Sequence, residues 1–226
     1  MSADVPPSRI YRLLRRRFGF LDWWPGETKM EIVAGAILTQ QTSWRNVERA
    51  LSNLKAAKAL ELGALARMPI AKLELLVRPS GFYRQKARRL KGICSSVVRR
   101  YGTLERFFAL ERSSLREALL AMDGIGPETA DSITLYAAGK PVFVIDAYTR
   151  RAMHRITGMD ENISYAVLQR FFERSLKRDV ALYKDMHAQF VELGKRYCRP
   201  VPLCAECPLK GVCLHAHTVA EDHPNI

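Results

Sequence analysis

The sequence predicts an all-α protein, on three observations. Apolar residues recur at helical spacing through nearly every segment, no run alternates over the length of a strand, and glycine or proline falls where helices should end. A chain of 226 residues with 48% hydrophobic content can bury a sizeable core, as one domain or two small lobes. No stretch approaches the ~20 apolar residues that span a bilayer, and residues 1–7 lack the apolar centre of a signal peptide. Those features point to a cytoplasmic protein with no membrane partner. The net charge of +13, from 36 basic against 23 acidic residues, favours a polyanionic partner without choosing which.

Taken in order, residues 8–18 read as a basic amphipathic helix with Ile10, Leu13, Leu14 and Phe18 inward. Arg15, Arg16 and Arg17 lie on its other face, either solvated or against phosphate. An aromatic loop with Trp23 and Trp24 ends at Pro25-Gly26, and its indoles either seal two lobes together or line a pocket. An apolar helix over 28–38 runs into polar Thr39-Gln40-Gln41-Thr42-Ser43, where Ser43 caps a helix over 44–57. Pro69 divides two short helices, 60–68 and 70–77. After Gly81-Phe82-Tyr83, a helix over 85–101 carries a basic face of Lys86, Arg88, Arg89 and Lys91, with Cys94 as a small buried hydrophobe. Helices over 104–110 and 113–122 follow, and beyond residue 146 further helices are expected over 148–156, 165–172 and 180–197.

Two stretches carry chemistry. In the first, Gly124-Ile125-Gly126-Pro127 fits a tight reversal between two helices, with Pro127 in the first helical position, where its missing N–H costs nothing. Backbone amides at such a helix start form an anion site; an ordinary turn reads equally well. The apolar run Val142 to Ile145 then delivers Asp146, either a helix cap or a carboxylate poised for catalysis. In the second, Cys198, Cys204, Cys207 and Cys213 fall within 16 residues among Pro200, Pro202 and Pro208. Clustering of that kind in an intracellular chain indicates metal rather than disulfides. Four thiolates hold tetrahedral zinc or a [4Fe–4S] cluster, and spacing alone leans to zinc. His215 and His217 are spare ligands nearby.

Gly124-Ile125-Gly126, Thr129-Ala130 and Val144-Ile145-Asp146 together resemble the helix-hairpin-helix and catalytic aspartate of the endonuclease III superfamily of DNA glycosylases. The resemblance extends over roughly residues 20–215 and takes in Gly81-x-Tyr83-x-x-Lys86-Ala87 and the cysteine cluster. It implies two helical lobes, residues 28–141 carrying the hairpin and residues 1–27 plus 142–226 carrying Asp146 and the cluster loop. It also implies a monomer acting on double-stranded DNA with a damaged base. Gln41 matches a residue wedged into the duplex; Gly124, Ile125 and Gly126 would meet phosphate, with Lys86 and Lys195 as further contacts. Cys198, Cys204, Cys207 and Cys213 would ligate a [4Fe–4S] cluster rather than zinc, although the first spacing is one residue shorter than the family's usual six.

The position of the lyase lysine in bifunctional members is Glu128, which cannot form an imine, so hydrolysis without strand cleavage is expected. Trp23-Trp24-Pro25 and Gly126-x-Glu128-x-Ala130-Asp131 resemble the branch of endonuclease III-like 3-methyladenine DNA glycosylases. That likeness implies a base pocket with Trp23, Trp44 and Glu128, and alkylated purines as substrate. A mismatch (thymine or uracil) or oxidised-pyrimidine glycosylase is the alternative within the superfamily, and a non-catalytic, structure-specific DNA-binding protein the alternative outside it.

Overall fold

The computed structural model describes residues 5–21 and 26–222. Helices joined by turns and irregular segments make up all of this, and no strand occurs among the described residues. In order the helices are α1 (Pro7–Phe18), α2 (Lys29–Leu38), α3 (Trp44–Ala56), α4 (Leu62–Arg67), α5 (Ile70–Val77), α6 (Tyr83–Tyr101), α7 (Leu104–Phe108) and α8 (Arg112–Leu120). Then come α9 (Pro127–Ser132), α10 (Ala147–Thr157), α11 (Tyr165–Ser175), α12 (Val180–Arg196) and α13 (Leu214–Asp222). Among the described residues no helix is long and apolar enough to cross a membrane.

The chain divides into two compact units, one of residues 24–140 and one that joins the chain before residue 24 to Pro141 and all that follows. In the first, α2 through α9 enclose a core of Val33, Ile37, Leu38, Leu54, Leu65, Leu73, Leu90, Phe107, Leu115 and Ile133. α2 is buried almost all round (Met30, Glu31, Val33 to Leu38), as an apolar helix with Gly35 and Ala36 must be. Thr28 caps it by accepting the Glu31 N–H at 3.1 Å. Ser43 occupies the corresponding position before α3 but makes no side-chain cap bond; Thr42 instead accepts from Asn46 Nδ2 at 3.1 Å. A π-helical turn, Ile133–Ala137, extends α9.

In the second unit, Phe143 stacks on Phe172 (centroids 4.2 Å apart, planes at 8°), and Tyr183 and Phe190 meet this pair edge-on. The buried Asp185 carboxylate on α12 ties α1 and the turn after it, accepting from Tyr11 Oη at 2.6 Å and from the Leu21 N–H at 2.8 Å. Burial and this hydrogen bond push the Tyr11 hydroxyl up to about 12. α12 and α10 approach so closely that a Cβ on Gly194 would stand 2.2 Å from Tyr148 Cδ1. That glycine is needed for the close approach, not for its dihedral.

Two differences from the sequence reading have clear causes. α6 begins at Tyr83, two residues earlier than expected, because Phe82 takes a left-handed conformation (φ 44) and starts the helix behind it. α13 was not anticipated; it follows Cys213 directly and packs against α10.

Candidate active site and nucleic-acid interface

In the first unit the hairpin forms between α8 and α9. Gly124 has φ 70, a value side chains rarely adopt, and a Cβ there would collide with Arg89 Nε at 1.9 Å. Gly126 differs: its backbone is extended (φ −86, ψ 176) and nothing lies within 4 Å of an added Cβ. Freedom to turn is therefore required at Gly124 alone, while Gly126 leaves its surface bare for whatever approaches. Ile125 is buried in the core, so only its backbone is available to a partner. Glu128 is exposed in the first turn of α9, where a carboxylate suits the positive end of the helix. Asp131, three residues on, is fully buried and paired with Arg116, Nε to Oδ1 at 2.6 Å.

The polar insert after α2 separates two adjacent glutamines. Gln40 Nε2 donates to the Gly124 carbonyl (3.2 Å) and to Thr129 Oγ1 (3.0 Å), and its Oε1 accepts from Arg89 Nη1 (2.7 Å). It braces the hairpin from behind. Gln41 is exposed and left-handed (φ 53), a conformation that costs energy in a residue with a Cβ and marks functional loops. Phe82 shares both properties, with φ 44 and 62% of its surface exposed. Sequence reasoning passed over Phe82, though an aromatic directly after Gly81 in a turn was a visible signal.

Lys86 is not a surface cation. It is 1% exposed, and its ammonium donates to the carbonyls of Leu38 (2.9 Å) and Ser80 (2.5 Å). Burial, with the charge of Arg89 beside it, pulls its amine down to about 8. Its expected phosphate contact is therefore withdrawn: it joins the end of α2 to the turn before Phe82 from inside. The exposed cations of α6 are Arg84, Arg88, Arg99 and Arg100, and the last three line, with Arg89 and Asp123, an open groove of about 240 Å³ beside the hairpin. Trp44 begins α3, half-buried against the core. Trp23 lies outside the described residues. Cys94 is buried, and that burial pushes its thiol up to about 12.

In the second unit Asp146 is the N-cap of α10, its Oδ1 accepting the Thr149 N–H at 2.7 Å. The carboxylate is 12% exposed, and Oδ2 lies 3.4 Å from His187 Nε2 on α12. Burial alone would raise its pKa, but the hydrogen bonds and charge from His187 and Thr149 outweigh this and hold it below the usual aspartate value. The result is a capped, partly accessible and firmly ionised carboxylate. His187 went unnoticed in the sequence, where nothing links it to a residue 41 positions away.

The same α10 holds the cysteine loop with its other end. Arg151 Nε donates to the Cys198 carbonyl at 2.8 Å, and Arg155 donates to the carbonyls of Arg199 (2.6 Å) and Pro200 (2.9 Å) and lies 3.5 Å from Cys198 Sγ. The Cys213 thiol faces the Arg155 carbonyl at 3.4 Å. Burial pushes Cys207 up to about 11 and raises Cys204 and Cys213, and charge on neighbouring thiols of the set raises each further. All four sulfurs therefore share one neighbourhood. Among the described residues, however, no three His, Cys, Asp or Glu side chains converge as ligands of a single ion. Lys195 is exposed in the last turn of α12, and Lys210 donates to the Ala205 carbonyl at 3.1 Å.

With a helical hairpin in one unit, and in the other a helix capped by an aspartate at its start and holding a cysteine loop with its far end, the chain belongs to the HhH-GPD superfamily of base excision DNA repair proteins, whose family model matches residues 34–178. It is a base excision DNA glycosylase of that superfamily. A protein of Methanocaldococcus jannaschii, provisionally named DNA repair glycosylase MJ1434, is 44% identical over 91% of this chain and 94% of its own. Among solved structures, H. pylori 3-methyladenine DNA glycosylase (MagIII) bound to 1,N6-ethenoadenine is 31% identical, with a TM-score of 0.76 over 85% of this chain and 98% of its own. A non-covalent endonuclease III–DNA complex superposes with a TM-score of 0.80 over 96% of this chain and 99% of the other, at 20% identity, a likeness of fold.

Proposed function

We propose that the protein is a monofunctional glycosylase that removes alkylated purines such as 3-methyladenine from double-stranded DNA. The observation that carries this reading is Asp146, an ionised and partly accessible carboxylate fixed at the start of α10. Alkylation at a ring nitrogen makes the base cationic, so the glycosidic electron pair leaves with it and the base departs neutral without needing an acid. The sugar becomes an oxocarbenium ion, which the Asp146 carboxylate stabilises by charge. Water then adds to C1′ and gives up its proton to the carboxylate or to solvent. Glu128 provides no amine, so no imine forms and the strand stays whole. The 31% likeness to the H. pylori 3-methyladenine enzyme supports the substrate class.

The target base must leave the stack first. Gln41 and Phe82, both exposed and both left-handed, are the side chains proposed to enter the duplex in its place. The amides at Gly124 to Gly126, with Arg88 and Lys195, would hold phosphate. Trp44 is the proposed aromatic contact to the cationic base.

Cys198, Cys204, Cys207 and Cys213 would hold a [4Fe–4S] cluster. Four cysteines within 16 residues, with the charge of Cys198, Cys204 and Cys213 felt at Cys207, supply the thiolates such a cluster needs, and the likeness of the loop to that of the endonuclease III superfamily favours the cluster over zinc. Its contribution is to staple the loop that carries Arg199 and Lys210; the chemistry at the sugar is left to Asp146.

The test is Asp146→Asn. Base release should fall by about 10²–10³, the scale of losing one preorganised electrostatic group, while affinity for an abasic-site duplex stays near that of the unaltered protein. Release at an unaltered rate would overturn the assignment.

A further inference from the structure

His187 lies beside the Asp146 carboxylate and is itself deeply buried. Its imidazole is 5% exposed and stands 3.4 Å from one oxygen of Asp146, while the other oxygen is taken by the Thr149 N–H at 2.7 Å. One carboxylate oxygen is thus held by its own helix, and the other lies within ion-pair distance of an imidazole on α12. The close crossing of α12 over α10 at Gly194 fixes how the two helices meet. Several other ionisable groups on the surrounding helices have partners of their own. On α10, Arg150 donates to the Ile163 carbonyl and Arg151 to that of Cys198. On α11, the Tyr165 hydroxyl accepts the Ile145 N–H at 3.3 Å. On α12 itself, Asp185 faces Tyr11 (2.6 Å) and Arg15 (3.3 Å) of α1.

We propose that His187 is a positioning residue for Asp146, its Nε2–H holding Oδ2 so that the carboxylate keeps one rotamer and stays ionised while positive charge develops on the sugar. The inference rests on Asp146 being the catalytic group. A carboxylate held only by its cap bond could rotate about χ2 and would take a proton more readily; the imidazole prevents both. Both effects act on the chemical step and leave DNA binding alone.

Single-turnover base release from methylated duplex, followed against pH, tests this in His187→Leu, His187→Asn and His187→Gln, alone and combined with Asp146→Asn. With leucine the rate constant should fall at least tenfold while the half-saturating enzyme concentration changes less than twofold. The acid limb of the profile should also move to higher pH, because the carboxylate has lost a partner that lowers its pKa. Asparagine, too short to reach Oδ2, should behave like leucine and carries the test if the leucine variant does not unfold cooperatively. Glutamine, whose amide N–H can reach, should restore most of the rate. In the Asp146→Asn background the leucine substitution should cost nothing more. A leucine or asparagine variant within twofold of the unaltered rate with an unmoved acid limb, or a glutamine variant no better than asparagine, would overturn the inference. Those results together with an inactive Asp146→Asn would leave the catalytic reading of Asp146 standing. Full activity in Asp146→Asn would remove that reading itself.

Discussion

Neighbouring residues of one type have different work in this chain, and the two glutamines show it most plainly. Gln40 is spent inside, on Gly124, Thr129 and Arg89; Gln41 is turned outward at φ 53. Gln40→Ala should therefore lower stability by about 2 kcal/mol, from lost hydrogen bonds worth about 1 kcal/mol each and partners left unpaired, measured by urea unfolding. Gln41→Ala should leave the midpoint in place and weaken binding to a lesion-containing duplex. The sequence could not separate them, because the difference lies in one backbone dihedral. Asp146 was legible both as a cap and as a catalytic candidate, and geometry makes the two compatible: Oδ1 caps while Oδ2 meets His187. Its depressed pKa has a sign that can be checked. The active form is the ionised one, so base release should persist as pH falls to the ordinary aspartate range near 4 and decline only below it. A decline centred near pH 6 would mean the carboxylate is not held ionised as described.

At the scale of elements, α6 teaches the most. Its sequence was read as a basic face, and Arg88, Arg99 and Arg100 are exposed, but Lys86 sits on the opposite stripe with Leu90, Ile93, Cys94 and Val97. The spacing i, i+4, i+7, i+8, i+11 was present in the sequence and placed Lys86 inside; a lysine at that register is read as surface because buried lysines are rare. What the sequence could not supply are its acceptors, the Leu38 and Ser80 carbonyls, contributed by other segments. Lys86→Met should destabilise by about 2 kcal/mol, the cost of stranding two buried carbonyls, and should leave the salt dependence of DNA binding unchanged. Arg88→Ala and Lys195→Ala should instead flatten the plot of log affinity against log salt by about one unit each if they touch phosphate. A flattened slope for the Lys86 variant would contradict its burial. Most helix bounds were legible from apolar period and from Pro69 and Pro127, whereas α13 was not, its short segment after the last cysteine offering no strong apolar stripe.

For the molecule as a whole, apolar periodicity indicated an all-α chain and net charge a polyanionic partner; the described residues are helical without strands, and the family model matches residues 34–178. Charge could not name the partner; the resemblance of the hairpin and Asp146 segments to the endonuclease III superfamily pointed to DNA, because that likeness is written in a few contiguous residues. Cysteine spacing pointed to a metal site but could not give its nuclearity, which depends on sulfur separations. Anaerobically purified protein should carry about four irons per chain and no stoichiometric zinc; Cys204→Ser should lose the metal, and zinc in place of iron would refute the cluster. The central claim is hydrolytic removal of an alkylated purine without strand cleavage. It is tested most directly by incubating the protein with duplexes carrying 3-methyladenine, mispaired thymine, mispaired uracil or an oxidised pyrimidine, with borohydride present in a parallel set. The account predicts that free 3-methyladenine is released fastest, that the abasic strand stays intact, and that borohydride traps no protein–DNA adduct. Faster excision of a mispaired or oxidised pyrimidine, or efficient trapping of a covalent adduct, would contradict it.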